Sequence, residues 1–316
     1  MVILEARSLK KSPSQTDFSG KTTRRKRKAP IHYPVLFVVP AIVVYVVFFI
    51  FPTVSGFYYS FTDWSAVSST INFVGIAQFI EVLKNPDFAL AVKNTFIYAI
   101  VTTTGKIVLP LAIAVWLTKG IRSRNALRAV YFSPAILNIV AVGLIFQGLL
   151  NPHTGFVNQT LRSLNLDFLA FGWIGDPALS IFAACLMEIW RASGITMAIF
   201  IAGIQNISAE YYEAADIDGA SAWEKFIRVT LPLLMPAITI NVLLSVIYGA
   251  RMFEGVYFLT QGGPGNSSEV MMTMVYKYMG QGLYAYSTAL NLILVVLILA
   301  VAMPLLSYLK KKEIEG

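Results

Sequence analysis

Charge is what this 316-residue chain lacks most. Asp, Glu, Lys and Arg together make up 13% of it, where a soluble domain carries about 25%. So few charges cannot clothe a soluble protein of this size. A single cysteine, Cys185, excludes a disulfide framework and a Cys-based metal site. The two histidines, His32 and His153, cannot build a zinc centre, so no metal ligands are assigned. A phosphate-binding Gly-x4-Gly-Lys-Ser/Thr loop is also missing. Gly105-Lys106 is followed by Ile107, and Ile100 stands where the first glycine is needed. The chain therefore cannot hydrolyse ATP alone. No nucleophile–base pair and no paired carboxylates mark a catalytic pocket, so no catalytic residue is assigned.

What the chain has is apolar length. Residues of the set AVILMFWYC account for 56% of it, and the mean hydropathy is +0.66. Bulk disorder is excluded by that hydrophobicity. No charged residue occurs from Ala29 to Thr62, and Tyr33 to Val54 is almost wholly apolar. About 20 apolar residues suffice to cross the hydrocarbon core as a helix. The same reading predicts five more spans, at 95–117, 130–150, 178–203, 235–259 and 284–308. The first span follows basic residues, as a signal peptide does. Its apolar run is too long and no small-x-small site follows, which predicts a retained anchor.

Lysine and arginine set the orientation. The N-terminal tail holds nine, the turn after the second span holds Lys119, Arg122, Arg124 and Arg128, and the loop before the fifth holds Lys225 and Arg228. With Lys310, Lys311 and Lys312 these face one side, against Lys84, Lys93, Arg162 and Lys277 on the other. Both termini are thus predicted to be cytoplasmic. The expected fold class is all-α, a polytopic membrane protein with six transmembrane helices. It divides into a basic tail (1–32), a six-helix domain (33–309) and a short tail (310–316). The formal charge of +8 invites a nucleic-acid reading. The run from Arg24 to Lys28 sits beside a span, however, where it sets topology and meets anionic headgroups. Basic residues spread over a folded face with interleaved aromatics are missing, so no nucleic-acid partner is expected.

One cytoplasmic loop, about 206–232, carries a pattern of its own. Ser208 suits a helix N-cap, with Glu210 and Glu213 near the positive end. Gly219 suits a helix stop, and a second short helix is expected from Ala222 to Thr230, ending before Pro232. Glu213-Ala214-Ala215, then Gly219, then Val229-Thr-Leu231-Pro232 resembles the cytoplasmic motif of binding-protein-dependent ABC importer permeases. Val229 stands where that motif has Ile, and Ser208 replaces a Pro often found just before it. The Tyr59-Ser60-Phe61-Thr62-Asp63-Trp64 stretch, Asn72-Phe-Val-Gly75, Asn94-Thr95 and Leu259-Thr260-Gln-Gly262-Gly263-Pro264 are similar to segments of carbohydrate-uptake permeases. The last resembles the outer loop of the larger membrane subunit in maltose-type importers.

The resemblance implies a type I ABC importer permease in a bacterial inner membrane, taking up a sugar or oligosaccharide. It implies a second homologous permease, two ATPase subunits that bind ATP and Mg, and an extracytoplasmic solute-binding protein. No cofactor is expected on this chain, and the lipid membrane is its medium. Glu213, Ala214, Ala215, Gly219, Val229, Leu231 and Pro232 are then the ATPase-coupling residues. An ion-coupled secondary transporter of a small solute is the alternative.

Polar residues inside spans are costly in lipid and point to function. Lys106 falls within span two, Arg191 within span four, and Arg251 with Glu254 in span five. Glu188 and Glu254 stand three residues from the two arginines, so each pair could meet on one helix face. Lys106 has no acid within helical reach, so its partner must lie elsewhere. Gln147, Asn241, Tyr248, Tyr257 and Asn291 offer hydrogen bonds and aromatic faces suited to a sugar, although for any one of them a hydrogen bond between two helices is the more common job. Pro40, Pro110 and Pro304 suggest kinks.

Overall fold

The computed structural model describes residues 38–311. The basic run at 24–28, His32, the start of the first predicted span and Lys312 lie outside the described residues. The chain divides into two units, one up to Ile50 and the other from Phe51 onward. In the first, α1 (Val39–Tyr45) is followed by a π-helical turn, Val46–Ile50. Pro40 occupies the first turn of α1, where its missing N–H has no helical partner to lose. It starts the helix, and the expected kink is absent there.

The second unit is built of helices, with one isolated antiparallel bridge between Thr62 and Phe73. It begins with α2 (Phe51–Tyr59), α3 (Ala77–Lys84), α4 (Pro86–Thr118), α5 (Arg124–Ile136) and α6 (Ile139–Leu149). It continues with α7 (Phe156–Ser163), α8 (Ser180–Gln205), α9 (Ala209–Ile217), α10 (Ala222–Lys225), α11 (Leu231–Leu233) and α12 (Met235–Ala250). It closes with α13 (Glu254–Thr260), α14 (Met271–Gly280) and α15 (Tyr284–Lys310). Four stretches are long and apolar enough to cross a membrane: Val39–Tyr59, Pro86–Thr118, Ser180–Gln205 and Tyr284–Lys310. Two bent pairs bring the number to six when each is taken as one span.

The bends correct the sequence reading. Span three is broken, with α5 and α6 meeting at 98°. Leu137 and Asn138 are extended, and the Asn138 side chain accepts a hydrogen bond from Val140 N at 2.8 Å, starting α6 afresh. The helix after Ala222 runs on through Pro232 to Leu233 instead of stopping before it. A π-helical turn at Phe226–Thr230 precedes the proline, which sits in the first turn of α11 and so needs no donor. The break comes at Leu234, where the chain bends by 67°. Span five also ends early: α12 stops at Ala250, and residues 251–253 separate it from α13. Pro110 and Pro304 lie inside uninterrupted helices.

Helix α4 is the spine of this unit. Its 33 residues start from Asn85, whose side chain accepts from Asp87 N at 2.9 Å. Three apolar clusters line its length. Tyr98 packs with Val142, Met187 and Val256 from α6, α8 and α13. Ala91 meets Met274 and Leu290 from α14 and α15. Ala114 and Leu117 meet Phe200 and Ile238 from α8 and α12. Lipid provides no hydrophobic drive between helices, so such contacts depend on close fit. Gly194 shows how close. A Cβ there would strike the Tyr131 carbonyl and lie 2.6 Å from Phe132 Cα, so α5 crosses α8 backbone to backbone.

The stretch between α13 and α14 is knotted to its neighbours by polar bonds. Asn94 Nδ2 donates to the carbonyls of Ser267 (2.7 Å) and Glu269 (2.9 Å). Thr95 Oγ1 accepts from Met271 N at 2.9 Å, and Asn266 Nδ2 donates to Asp87 Oδ2 at 3.0 Å. Glu269 is buried, with Lys277 Nζ 3.6 Å away. Burial pushes its carboxyl above the usual range, against the pull of Lys277 and with a push from Asp87.

Two outcomes are expected. Gly194→Val forces α5 off α8 and costs about 1–3 kcal/mol, read as a lowered unfolding temperature in detergent. Gly56→Ala, with open space around it, does not. A raised carboxyl pKa binds its proton more tightly in the folded state, so its contribution is present at low pH and lost as pH rises through the folded pKa. Stability should fall as pH rises above the ordinary carboxylate range, and Glu269→Gln should flatten that part of the profile.

Candidate functional site

Two features of the second unit combine polar chemistry with accessible space. The first is a cavity of about 700 Å³ among α4, α8, α12 and α13. Lys106, Glu188, Arg191, Asn241, Tyr248, Arg251 and Glu254 all line it. Periodicity explains the α12 wall: Asn241, Ser245 and Tyr248 stand at helical spacing on one face.

A buried ion network forms the cavity's back. Glu188 and Lys106 are 2% and 4% exposed, and Lys106 Nζ lies 3.5 Å from Glu188 Oε1. Arg191 donates to the same carboxylate through Nε (3.0 Å, to Oε2) and Nη2 (3.1 Å, to Oε1). One carboxylate therefore serves two cations, and its fork-on-fork pairing with Arg191 is the stronger half. The partner that Lys106 needed is on another helix of its own chain. The set carries one net positive charge, with Arg191 half-buried at the cavity wall.

Arg251 and Glu254 do not form the expected pair. Arg251 caps the end of α12 and is exposed, Glu254 opens α13, and the break between them carries the two side chains off any shared helix face. Arg251 is thus not embedded within a span. Asn241 is buried and donates to its own helix at Ala237 O, 2.9 Å away. Tyr248 is 63% exposed.

Three other residues expected near a solute path are not among those that line the cavity. Gln147 donates to Leu259 O at 3.4 Å, joining α6 to α13. Tyr257 stacks in an aromatic group with Phe253 and Tyr276. Asn291 is exposed on α15. Sequence reasoning passed over Ser245, Thr196 and Met252, which also line the cavity. Ser245 was open to inference from its spacing to Asn241, whereas Met252 reaches the cavity only because α12 ends at Ala250.

The second feature is the loop after α8. Ser208 caps α9, accepting from Glu210 N at 3.4 Å. Gly219 has φ +70°, which turns the chain where a side chain would be strained. Ser221 and Glu224 form a reciprocal capping box at α10. The Ser221 backbone N–H and hydroxyl hold the Glu224 carboxyl below its usual range. An ion pair between Lys225 and Asp216, and a 3.0 Å hydrogen bond between Tyr212 and Thr230, tie the two halves together. Glu213, Ala214 and Gly219 are exposed, while Ala215, Val229, Leu231 and Pro232 are half-buried. Leu231 packs on the cluster that joins α4, α8 and α12.

A helical protein with several membrane spans, a polar cavity among them and one long structured loop is a membrane transport subunit. The chain belongs to the family described as binding-protein-dependent transport system inner membrane component, which residues 106–312 match. It is 33% identical to a probable ABC transporter permease of Pyrococcus horikoshii over 91% of this chain and 99% of that one. It is 35% identical to an arabinooligosaccharides transport system permease of Bacillus subtilis, covering 85% of this chain and 86% of that one. Its fold is that of a solved bacterial ABC transporter involved in the import of the acidic polysaccharide alginate. That match has a TM-score of 0.77 at 22% identity and covers 87% of this chain and 94% of that one. The chain is therefore the multi-pass permease subunit of an ATP-driven importer, and the ion-coupled alternative falls away.

Removing the shared carboxylate should be the most damaging change in the cavity. Glu188→Gln leaves buried Lys106 and half-buried Arg191 without a counter-ion and should cost about 3–5 kcal/mol. Lys106→Met leaves the Glu188–Arg191 pair intact and should cost less. Thermal unfolding of the purified chain ranks the two, and the reverse order would remove Glu188 from the centre of the network.

Proposed function

We propose that this permease imports a sugar or short oligosaccharide through the cavity bounded by Lys106, Asn241, Tyr248 and Arg251. The carrying observation is that cavity itself: charge, amide, hydroxyl and one exposed aromatic face around about 700 Å³ of space between spans. Aromatic faces cover the apolar faces of sugar rings, and polar groups around them fit ring hydroxyls. The arabinooligosaccharide permease among its relatives supports a carbohydrate substrate.

In this reading the protein sits in a bacterial inner membrane with both termini in the cytoplasm. It pairs with a second, homologous permease. An external solute-binding protein delivers sugar to the outer loops, including 151–177 and 260–283. Two ATPase subunits, which bind ATP and Mg and carry out hydrolysis, grip residues 209–231 of this chain and the corresponding loop of its partner. Small side chains at Ala214 and Ala215 let the ATPase surface approach the α9 backbone. Tyr211, Ile217 and Trp223 are 55%, 87% and 69% exposed on the same loop, apolar area that a docked subunit would cover. Motion at the ATPases reaches the spans because α10, the π-helical turn and α11 run without a loop to the bend at Leu234. Leu231 and Leu234 seat that run against α4 and α8.

Reconstitution with the ATPases, partner permease and solute-binding protein tests the assignment. Ala215→Trp should lower sugar-stimulated ATP hydrolysis and uptake together by about tenfold or more, the weight of ~1.4 kcal/mol at a docking contact. Tyr248→Ala should lower uptake while leaving docking unchanged. Uptake that persists without the ATPases would overturn the coupling reading.

A further inference from the structure

A second cationic site lies apart from the cavity and the coupling loop. The Nε of Arg128 is buried and has no hydrogen-bond partner. Arg128 takes part in none of the ion pairs among the described residues. Among the described residues nothing accepts from this half-buried arginine's Nε, and a buried donor left unpaired is costly. From Phe88 to Leu166 the sequence contains no Asp or Glu at all, so no carboxylate stands near Arg128 along the chain.

Arg128 stands at the end of an open groove of about 330 Å³ between α5 and α8. The remaining lining is Ala129, Phe132, Met197, Ala198 and Ile201, all apolar. Arg124, one helical turn earlier on the same face, is exposed and forms no ion pair either. Beyond them α5 turns apolar and stays exposed, with Val130 65% and Ile136 74% accessible. The groove thus has one cationic end and one apolar length. It lies near the end of the α8 span at Gln205, on the side that carries Lys119, Arg122 and Arg124.

From this we infer that the α5–α8 groove binds an anionic phospholipid, with its phosphate on Arg128 and an acyl chain along Phe132, Met197 and Ile201. A soluble anion would satisfy the arginine and leave the apolar length empty. A protein carboxylate would have to enter beside it from a partner subunit. A lipid meets both requirements at this depth, where basic residues flanking a span attract anionic headgroups. Lipid seated there braces α5 against the 197–201 stretch of α8.

The intact importer, reconstituted in nanodiscs of phosphatidylcholine with phosphatidylglycerol and then washed in detergent, gives the test. Phosphatidylglycerol retained by the complex is measured by mass spectrometry. Arg128→Gln should reduce retention about fivefold, the weight of one basic residue at an anionic surface. Ala129→Trp, which fills the groove and keeps the charge, should reduce it as well. Arg162→Gln, in the loop after α6, should not. A photo-reactive side chain at Phe132 should yield a lipid adduct. Equal retention by wild type and both groove variants would overturn the proposal. So would a photo-adduct made only with the second permease, or retention abolished by excess inorganic phosphate alone.

Discussion

The contact of α4 with α8 depends on the need to offset charge among membrane spans. Glu188 meets that need for two cations at once, Lys106 from α4 and Arg191 from its own helix. In water such a pair would contribute little, but within spans an uncompensated charge is expensive. The carboxylate therefore fixes the register of α4 against α8, and the clusters above and below it follow from that register. The cavity is the side of this network that the packing leaves open.

Broken helices set the rest. A straight helix across the bilayer satisfies its own backbone groups, so each interruption must be compensated. Asn138 compensates at the start of α6 with its side chain. At Leu234 the following proline sits in the first turn of α12, where no donor is required. Residues 251–253 open the chain beside the cavity, and this places Met252 and the exposed Arg251 on its wall. The interruptions thus lie where the unit needs lateral freedom: next to the cavity and at the root of the α9–α11 loop. That loop is stiffened internally by the capping box at Ser221 and by the Lys225–Asp216 pair.

Composition, periodicity and motif spacing made the membrane class, the helical content and the permease-like loop after α8 legible. Apolar runs such as 284–308 match α15 closely because a span is a local property: length and hydropathy suffice. Ser208 and Gly219 were legible for the same reason, since a cap and a positive φ depend on the residue and its immediate neighbours. The bend after Ile136 was not, because an apolar run reads alike whether it is straight or folded at 98°. Arg251 and Glu254 were misjudged on the same ground: their spacing suits a helix, and the helix ends between them.

Sequence alone determined which segments are long and apolar enough to cross a bilayer, how the basic residues distribute about them, and which loop carries the permease-like motif. These rest on free energies of transfer and on backbone preferences, which act residue by residue. Tertiary structure decided which charges meet. Lys106 and Glu188 are 82 positions apart, and no local pattern could pair them. It also decided that Gln147 joins two helices while Asn241 and Tyr248 border the cavity, and that Arg128 Nε has no partner among the described residues. Those outcomes depend on which helix faces are turned toward each other, a property of the assembled bundle and not of any one span.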